Sequence, residues 1–186
     1  MQVLTKDEFE LHKEELLMKI KEGAVFIHPT DTIYGIGCNA KSEKAVRKVR
    51  DIKERYERPF SVIAPSKDWI KKNCHDGESW LSKLPGPYTL ILKLKDKNCI
   101  VSEVNNGMDT LGVRIPDHWF TVVASEAKVP LITTSANITG NDFMTTLDNL
   151  DPKIAAKIDF IVYEGEKHGR PSKIVDLTSG EKITER

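Results

Sequence analysis

Pro29-Thr30-Asp31-Thr32-Ile33-Tyr34-Gly35-Ile36-Gly37 comes one residue after the apolar run Ala24-Val25-Phe26-Ile27. Four apolar residues suit a short buried strand and are too few for a buried helix. The nine residues from Pro29 are poor core material: one proline, two threonines, one aspartate, one tyrosine and two glycines among the isoleucines. Pro, Asp and Gly are ordinary turn formers, so a plain turn accounts for part of the pattern. Two threonines flanking an aspartate go further. In open α/β sheets, ligands sit beyond strand ends, where loops offer hydroxyls and free backbone amides. The stretch reads as a strand that delivers the chain to a site.

Working outward, helical and strand patterns alternate along the chain. Thr5 and Glu8 form a capping box ahead of a helix carrying Phe9, Leu16, Leu17 and Ile20, and Gly23 stops it. Ser42 caps a second helix with Ala45, Val46, Val49 and Ile52 on one face. Residues 60–64 read as a strand, Pro65-Ser66 opens another helical stretch, and Pro85-Gly86-Pro87 breaks the chain before a strand at 88–94. Further strands are expected at 111–115, 129–133, 160–163 and 174–177, with helices near 117–127 and 152–158. The interleaving predicts an α/β fold, a sheet covered by helices. Not every connection is helical, so some strand pairs should be antiparallel.

Composition narrows the class. A chain of 186 residues with 39% hydrophobic and 30% charged residues can bury a sizeable core and has ordinary globular proportions. Twenty-eight basic residues balance twenty-eight acidic ones, so no global field advertises nucleic acid or a membrane surface. No signal pattern opens the chain and no apolar run approaches a membrane span, so a cytoplasmic, membrane-free protein is expected. Cys38, Cys74 and Cys99 are far apart and read as small buried hydrophobes in a reducing compartment. The five histidines show no ligand spacing, and no Walker, GxGxxG, HExxH or GxSxG motif is present.

Polar clusters then fall at element ends. The second helix and its exit carry eight basic residues, from Lys41 to Arg58, against four acidic ones, and most read as a solvated face. Lys53 and Arg55 lie where that helix should end. Spacing alone leaves two roles open, complementing the helix dipole or clamping an anion with an ammonium beside a planar fork. Thr133-Thr134-Ser135-Ala136-Asn137-Ile138-Thr139-Gly140 follows a strand with more hydroxyls than a cap requires. Arg114 interrupts an otherwise apolar strand, and Pro171-Ser172-Lys173 places another hydroxyl at a strand start.

Together these segments resemble the YrdC-like family of threonylcarbamoyl-AMP synthases. The matching residues are Pro29-Thr30-Asp31-Thr32-Ile33-Tyr34-Gly35, Lys53-x-Arg55 and Pro85-Gly86-Pro87-Tyr88-Thr89. Val113-Arg114-Ile115-Pro116, Thr134 through Gly140, and Pro171-Ser172-x-Ile174-Val175-Asp176 complete the series in the family's order. The resemblance implies one YrdC-like domain over residues 1–186, a twisted open mixed sheet covered by helices, with a concave cavity. It implies that ATP, L-threonine and bicarbonate are converted to threonylcarbamoyl-AMP and pyrophosphate, with Mg2+ carried by ATP rather than by a dedicated protein site. The product would pass to tRNA-modification partner proteins.

Roles carry over by resemblance, residue by residue. Thr30, Arg114, Ser135 and Ser172 fall on the L-threonine side. Lys53 and Arg55 fall at the ATP phosphates and nascent carbamate as the catalytic pair, and Thr110, Asn137 and Arg186 fall at the nucleotide. Three departures stand out: the shortened Tyr56-Glu57-Arg58-Pro59 after Arg55, Lys173 after Ser172, and no Ser-Pro pair after Gly140. They keep open a YrdC-fold paralogue that binds RNA or tRNA weakly without synthesis, or a nucleotide-binding subunit that needs a partner.

Overall fold

The structure, a computed structural model, describes residues 1–75 and 77–185. The chain runs through β1 (Gln2–Leu4), α1 (Lys6–Leu11), α2 (Lys13–Glu22), β2 (Phe26–His28), β3 (Gly35–Gly37) and α3 (Glu43–Lys53). It continues with β4 (Ser61–Ile63), α4 (Lys67–Asn73), α5 (Glu78–Leu81), β5 (Tyr88–Lys93), α6 (Ser102–Asn105) and β6 (Thr110–Arg114). The last elements are α7 (Val122–Ala127), β7 (Leu131–Ser135), α8 (Pro152–Ala155), β8 (Phe160–Val162), β9 (Lys173–Asp176) and β10 (Lys182–Thr184).

The local signals act where the sequence puts them. Thr5 and Glu8 make both bonds of the capping box, and Ser42 and Ser66 accept from the Ala45 and Trp69 amides at the starts of α3 and α4. Gly23 ends α2 at φ +100°, where its amide reaches the Ile20 and Lys19 carbonyls. The expected first helix is broken at His12 (φ −106°) into α1 and α2, and the 117–127 helix begins as a 3-10 turn at Trp119–Thr121. The 152–158 helix shortens to α8. The strands at 24–27, 60–64, 88–94, 111–115, 129–133, 160–163 and 174–177 all form, each with an end shifted by one or two residues.

Three strands have no counterpart in the sequence reading: β1, β10 and, most usefully, β3. Gly35-Ile36-Gly37 looks like a turn because glycine is a poor strand former. Here the glycines make room for rings. A Cβ on Gly37 would come within 2.8 Å of the Phe26 ring, and one on Gly35 within 3.0 Å of His28 Nε2. The side chains of β2 therefore lie across β3.

Among the described residues the strands order as β1-β8-β2-β3-β7-β4-β6-β5-β9-β10. β1 with β8, β8 with β2, β4 with β6 and β5 with β9 are parallel, and the other neighbours are antiparallel. The sheet is mixed, as the non-helical connections require. Residues paired across strands share a face. Ile27 pairs with Ile36, while Ile132, Val62, Val113, Leu90 and Val175 pair in turn across five strands. That face is apolar and packs on Ala45, Val46, Val49 and Ile52 of α3. Each fully buried Val or Ile there contributes roughly 1.5–3 kcal/mol.

The opposite face is divided. Phe26, Ile63, Leu131 and Phe160 pack under Phe9 of α1, Leu16 and Ile20 of α2 and Val123, Ala124 and Ala127 of α7. On the rest of that face, the paired positions are Gly35 with Ser135, Thr133 with Ser61, and Ser61 with Gly112. Small and hydroxyl residues leave it concave. Among the described residues no helix is long and apolar enough to cross a membrane.

Candidate active site

A cavity of about 240 Å³ occupies the concave half of this face. Thr30, Arg55, Arg114, Ser135 and Ser172 line it, so five of the nine residues assigned from the sequence meet in one place. Ser61, Thr89 and Thr133 add hydroxyls, and Ile33, Phe60 and Phe143 add apolar wall. The mixed lining of two guanidiniums, several hydroxyls and a few rings suits a small anionic or zwitterionic ligand.

Thr30 follows the end of β2, and its hydroxyl organises its own loop. It donates to the Ile33 carbonyl at 2.8 Å, accepts from the Thr32 amide at 3.1 Å and meets the Thr32 hydroxyl at 2.9 Å. Such short-range bonds are how a hydroxyl stabilises a tight turn. Two further ties hold the loop from segment 163–172. Lys167 Nζ donates to the Thr30 carbonyl at 3.0 Å, and the Tyr34 hydroxyl donates to the Gly165 carbonyl at 2.6 Å. Lys167 also pairs with Glu164, which in addition accepts from Trp119 Nε1 at 2.8 Å and faces His118 Nε2 at 2.8 Å. At Gly169 the segment lies so close that a Cβ would fall 2.1 Å from the Thr32 carbonyl oxygen.

Arg114 stands at the end of β6 and reaches Asp31 Oδ1 at 2.7 Å, with side chains 7% and 10% exposed. Asp31 Oδ2 accepts from the Asp117 amide at 3.0 Å. The sequence assigns Asp31 no role, because an Asp between two threonines looks like a turn residue. Ser172 sits just before β9 with its hydroxyl 2.7 Å from that of Thr89 on β5.

Lys53 makes contacts that the sequence does not anticipate. It is only 1% exposed. Its Nζ donates to the Ser135 carbonyl at 2.5 Å, the Asn137 carbonyl at 2.7 Å and Asn137 Oδ1 at 2.8 Å. Burial, and then the Arg55 charge, push its amine down to about 7, whereas three oxygens at those distances favour the ammonium. Ser135 Oγ donates to the same Asn137 Oδ1 at 2.6 Å, and Thr139 bonds the Lys53 carbonyl. Lys53 thus anchors the turn after β7. Neither Lys53 nor Asn137 is among the cavity-lining residues in this arrangement, and Arg55 is the member of the pair that is.

Thr110 lies at the opposite end of β6 from Arg114, with its carbonyl taken by Asn105 Nδ2, and is not among the lining residues. Arg186, also assigned to the nucleotide, lies outside the described residues. His28 carries no signal in the sequence that marks it out. It is fully buried between the two halves of the divided face, stacked on Phe120 at 5.0 Å. Its Nδ1 lies 3.2 Å from the Pro29 carbonyl, and its Nε2 has no partner among the described residues. Burial lowers its pKa to about 3. No group of three His, Cys, Asp or Glu side chains that could hold a metal gathers among the described residues.

This is an α/β protein whose mixed sheet carries, on one face, a hollow lined by hydroxyls and guanidiniums, groups of the kind that pair with carboxylates and phosphates. The chain belongs to the Sua5/YciO/YrdC family, described as telomere recombination, whose pattern matches residues 18–186. It is 38% identical to a provisionally named threonylcarbamoyl-AMP synthase of Methanocaldococcus jannaschii, covering 96% of this chain and 89% of that one. It is 29% identical to the threonylcarbamoyl-AMP synthase of Vibrio parahaemolyticus, covering 90% and 95%. The structure of Pyrococcus abyssi Sua5 complexed with L-threonine superposes with a TM-score of 0.83 at 27% identity, covering 95% of this chain and 54% of that protein.

Proposed function

We propose that this protein is an L-threonylcarbamoyladenylate synthase, forming threonylcarbamoyl-AMP and pyrophosphate from L-threonine, bicarbonate and ATP. One observation carries the reading: Arg55 and Arg114 both line one hydroxyl-rich cavity, in a family whose named relatives are synthases of this product. Arg114, Thr30, Ser135 and Ser172 form the amino-acid side of the cavity, and Arg55 the phosphate side.

The chemistry explains those residue types. The threonine amine joins the carbon of bicarbonate with loss of water, giving a carbamate. A carbamate oxygen then attacks the α-phosphorus of ATP, and the bond to pyrophosphate breaks. Several anions must approach one another, so guanidiniums offset their repulsion and stabilise the charge built up in transfer. Holding the carbamate against the phosphorus supplies much of the remaining acceleration without a side-chain nucleophile. Lys53 contributes by holding Ser135 and Asn137. Magnesium enters on the ATP phosphates as part of that substrate. The adenylate leaves for partner proteins that modify tRNA, and the setting is cytoplasmic.

Pyrophosphate release tests this directly. It is expected only when ATP, L-threonine and bicarbonate are all present. Equal release without threonine, or none from folded protein, would overturn the assignment. ATP binding without release would instead favour a subunit that needs a partner.

A further inference from the structure

Arg50 sits on α3 among cations that read as a solvated face, yet it is only 5% exposed. Its guanidinium is spread over backbone carbonyls of two segments. Nη1 donates to the carbonyls of Arg55 at 2.8 Å, Tyr56 at 3.1 Å and Arg58 at 3.2 Å. Nε and Nη2 donate to the Glu103 carbonyl at 2.8 and 2.6 Å, and Nη2 reaches the Val104 carbonyl at 3.4 Å. The guanidinium carbon lies 4.7 Å from the centre of the Phe60 ring, and that of Arg55 lies 5.2 Å from the same ring.

The segment gathered in this way has little else to define it. α3 ends at Lys53, and Glu54 follows at φ +50°, a left-handed conformation that a side chain adopts at some cost. From there Tyr56, Glu57 and Arg58 run exposed to solvent. Asn106 Nδ2 holds the Tyr56 and Glu57 carbonyls, and Arg50 holds those of Arg55, Tyr56 and Arg58. Arg55 leaves this turn toward the cavity, with Nη2 on the Pro59 carbonyl at 2.7 Å. A planar fork with five N–H donors can bridge two sets of carbonyls at once, and an ammonium cannot.

We propose that Arg50 is a positioning residue of the nucleotide side of the cavity. By gathering the carbonyls of Arg55, Tyr56 and Arg58, it fixes the turn from which Arg55 meets the ATP polyphosphate. The inference rests on the functional reading above, which gives Arg55 to the phosphates. Ordering the turn before binding spares that cost when ATP arrives, and a misplaced Arg55 loses the alignment that makes its fork effective. A purely structural Arg50, tying α3 to α6, would instead affect both substrates through general loosening.

The test uses Arg50→Met and Arg50→Lys, each alone and combined with Arg55→Ala. Tryptic cleavage after Arg55, in the variants that keep Arg55, reports the turn itself, since the Arg58–Pro59 bond resists trypsin, and calorimetry reports ATP and L-threonine binding separately in every variant. Arg50→Met is expected to speed that cleavage and raise the Kd for ATP about tenfold while leaving the Kd for threonine unchanged. Arg50→Lys, which keeps the charge and loses the fork, is expected to share the defect. In the Arg55→Ala background, Arg50→Met should add little, because the pair acts as a unit. Additive losses, a parallel fall in both affinities, or cleavage equal to that of the unaltered protein would overturn the inference. If the unaltered protein binds no ATP, the functional reading falls and the inference with it. Normal ATP binding in both the unaltered protein and Arg50→Met overturns the inference alone.

Discussion

Arg114 and Asp31 stand 83 positions apart in the chain, yet their side chains meet at 2.7 Å in a nearly water-free corner of the cavity. The pair joins the end of β6 to the loop after β2. It also gives the cavity's innermost guanidinium an internal carboxylate before any ligand arrives. A substrate carboxylate therefore shares Arg114 with Asp31 rather than meeting an uncompensated charge.

Breaking this pair from either side should have different consequences. Arg114→Ala is expected to weaken L-threonine binding by about 1.5–3 kcal/mol, the range for hydrogen bonds to charged groups, and to change ATP binding little. Asp31→Asn leaves a buried cation with a weaker partner and should lower folding stability by up to about 3–5 kcal/mol. Calorimetric titration and urea unfolding separate the two. Loss of ATP affinity with threonine affinity kept in Arg114→Ala would reverse the placement of the two subsites.

Lys53→Met should remove three bonds to the turn after β7, at a cost of about 1–3 kcal/mol of stability. The pH dependence has a definite sign. Folding lowers the Lys53 pKa from the ordinary 10.5 to about 7, so between those values the unfolded chain holds a proton that the folded one has released. Stability relative to Lys53→Met should therefore be flat below about pH 7 and rise with pH above it. Parallel stability curves for the two proteins from about pH 6 to about pH 10.5 would show that the three oxygens keep Lys53 charged across that window.

His28 supplies the acid limb. Its folded pKa of about 3 lies below the ordinary 6.5, so the unfolded chain takes up a proton as pH falls through that interval and the folded chain does not. Stability is whole above pH 6.5 and declines toward pH 3. His28→Leu should flatten this slope, and the His28 ring should show no NMR titration near neutral pH. A ring that titrates with an ordinary midpoint would contradict its burial.

Gly169→Ala tests the crossing of segment 163–172 over the loop after β2. A methyl group 2.1 Å from the Thr32 carbonyl cannot be accommodated without moving one backbone or the other. The variant should lose about 1–3 kcal/mol of stability, as overpacking does, and weaken threonine more than ATP binding, since Thr30 and Ser172 lie on these two segments. Unchanged threonine affinity would mean that the segment does not position that side of the cavity.

Much of this protein is legible in order along the chain. The caps at Thr5, Ser42 and Ser66, the stop at Gly23 and the apolar stripe of α3 are neighbour-to-neighbour signals, and each acts as read. The motifs around Thr30, Arg55, Arg114, Ser135 and Ser172 likewise name residues that reach one cavity. β3 is hidden in the sequence because its glycines answer the rings of Phe26 and His28 on the neighbouring strand rather than any preference of their own.

The sequence alone determined the class of fold, the helix starts after Thr5, Ser42 and Ser66 and most of the cavity's residue types, because capping, alternation and motif order are written within a few residues. Only the tertiary structure decided which cations turn inward. Arg47, Arg50 and Lys53 belong to one helix run of similar composition, yet Arg47 is exposed on Glu43 and Glu103 while Arg50 and Lys53 turn inward onto carbonyls. A buried cation must find oxygens to replace its lost water. Those oxygens come from Ser135, Asn137, Glu103 and the turn after α3 itself, three separate segments that only the folded sheet brings together.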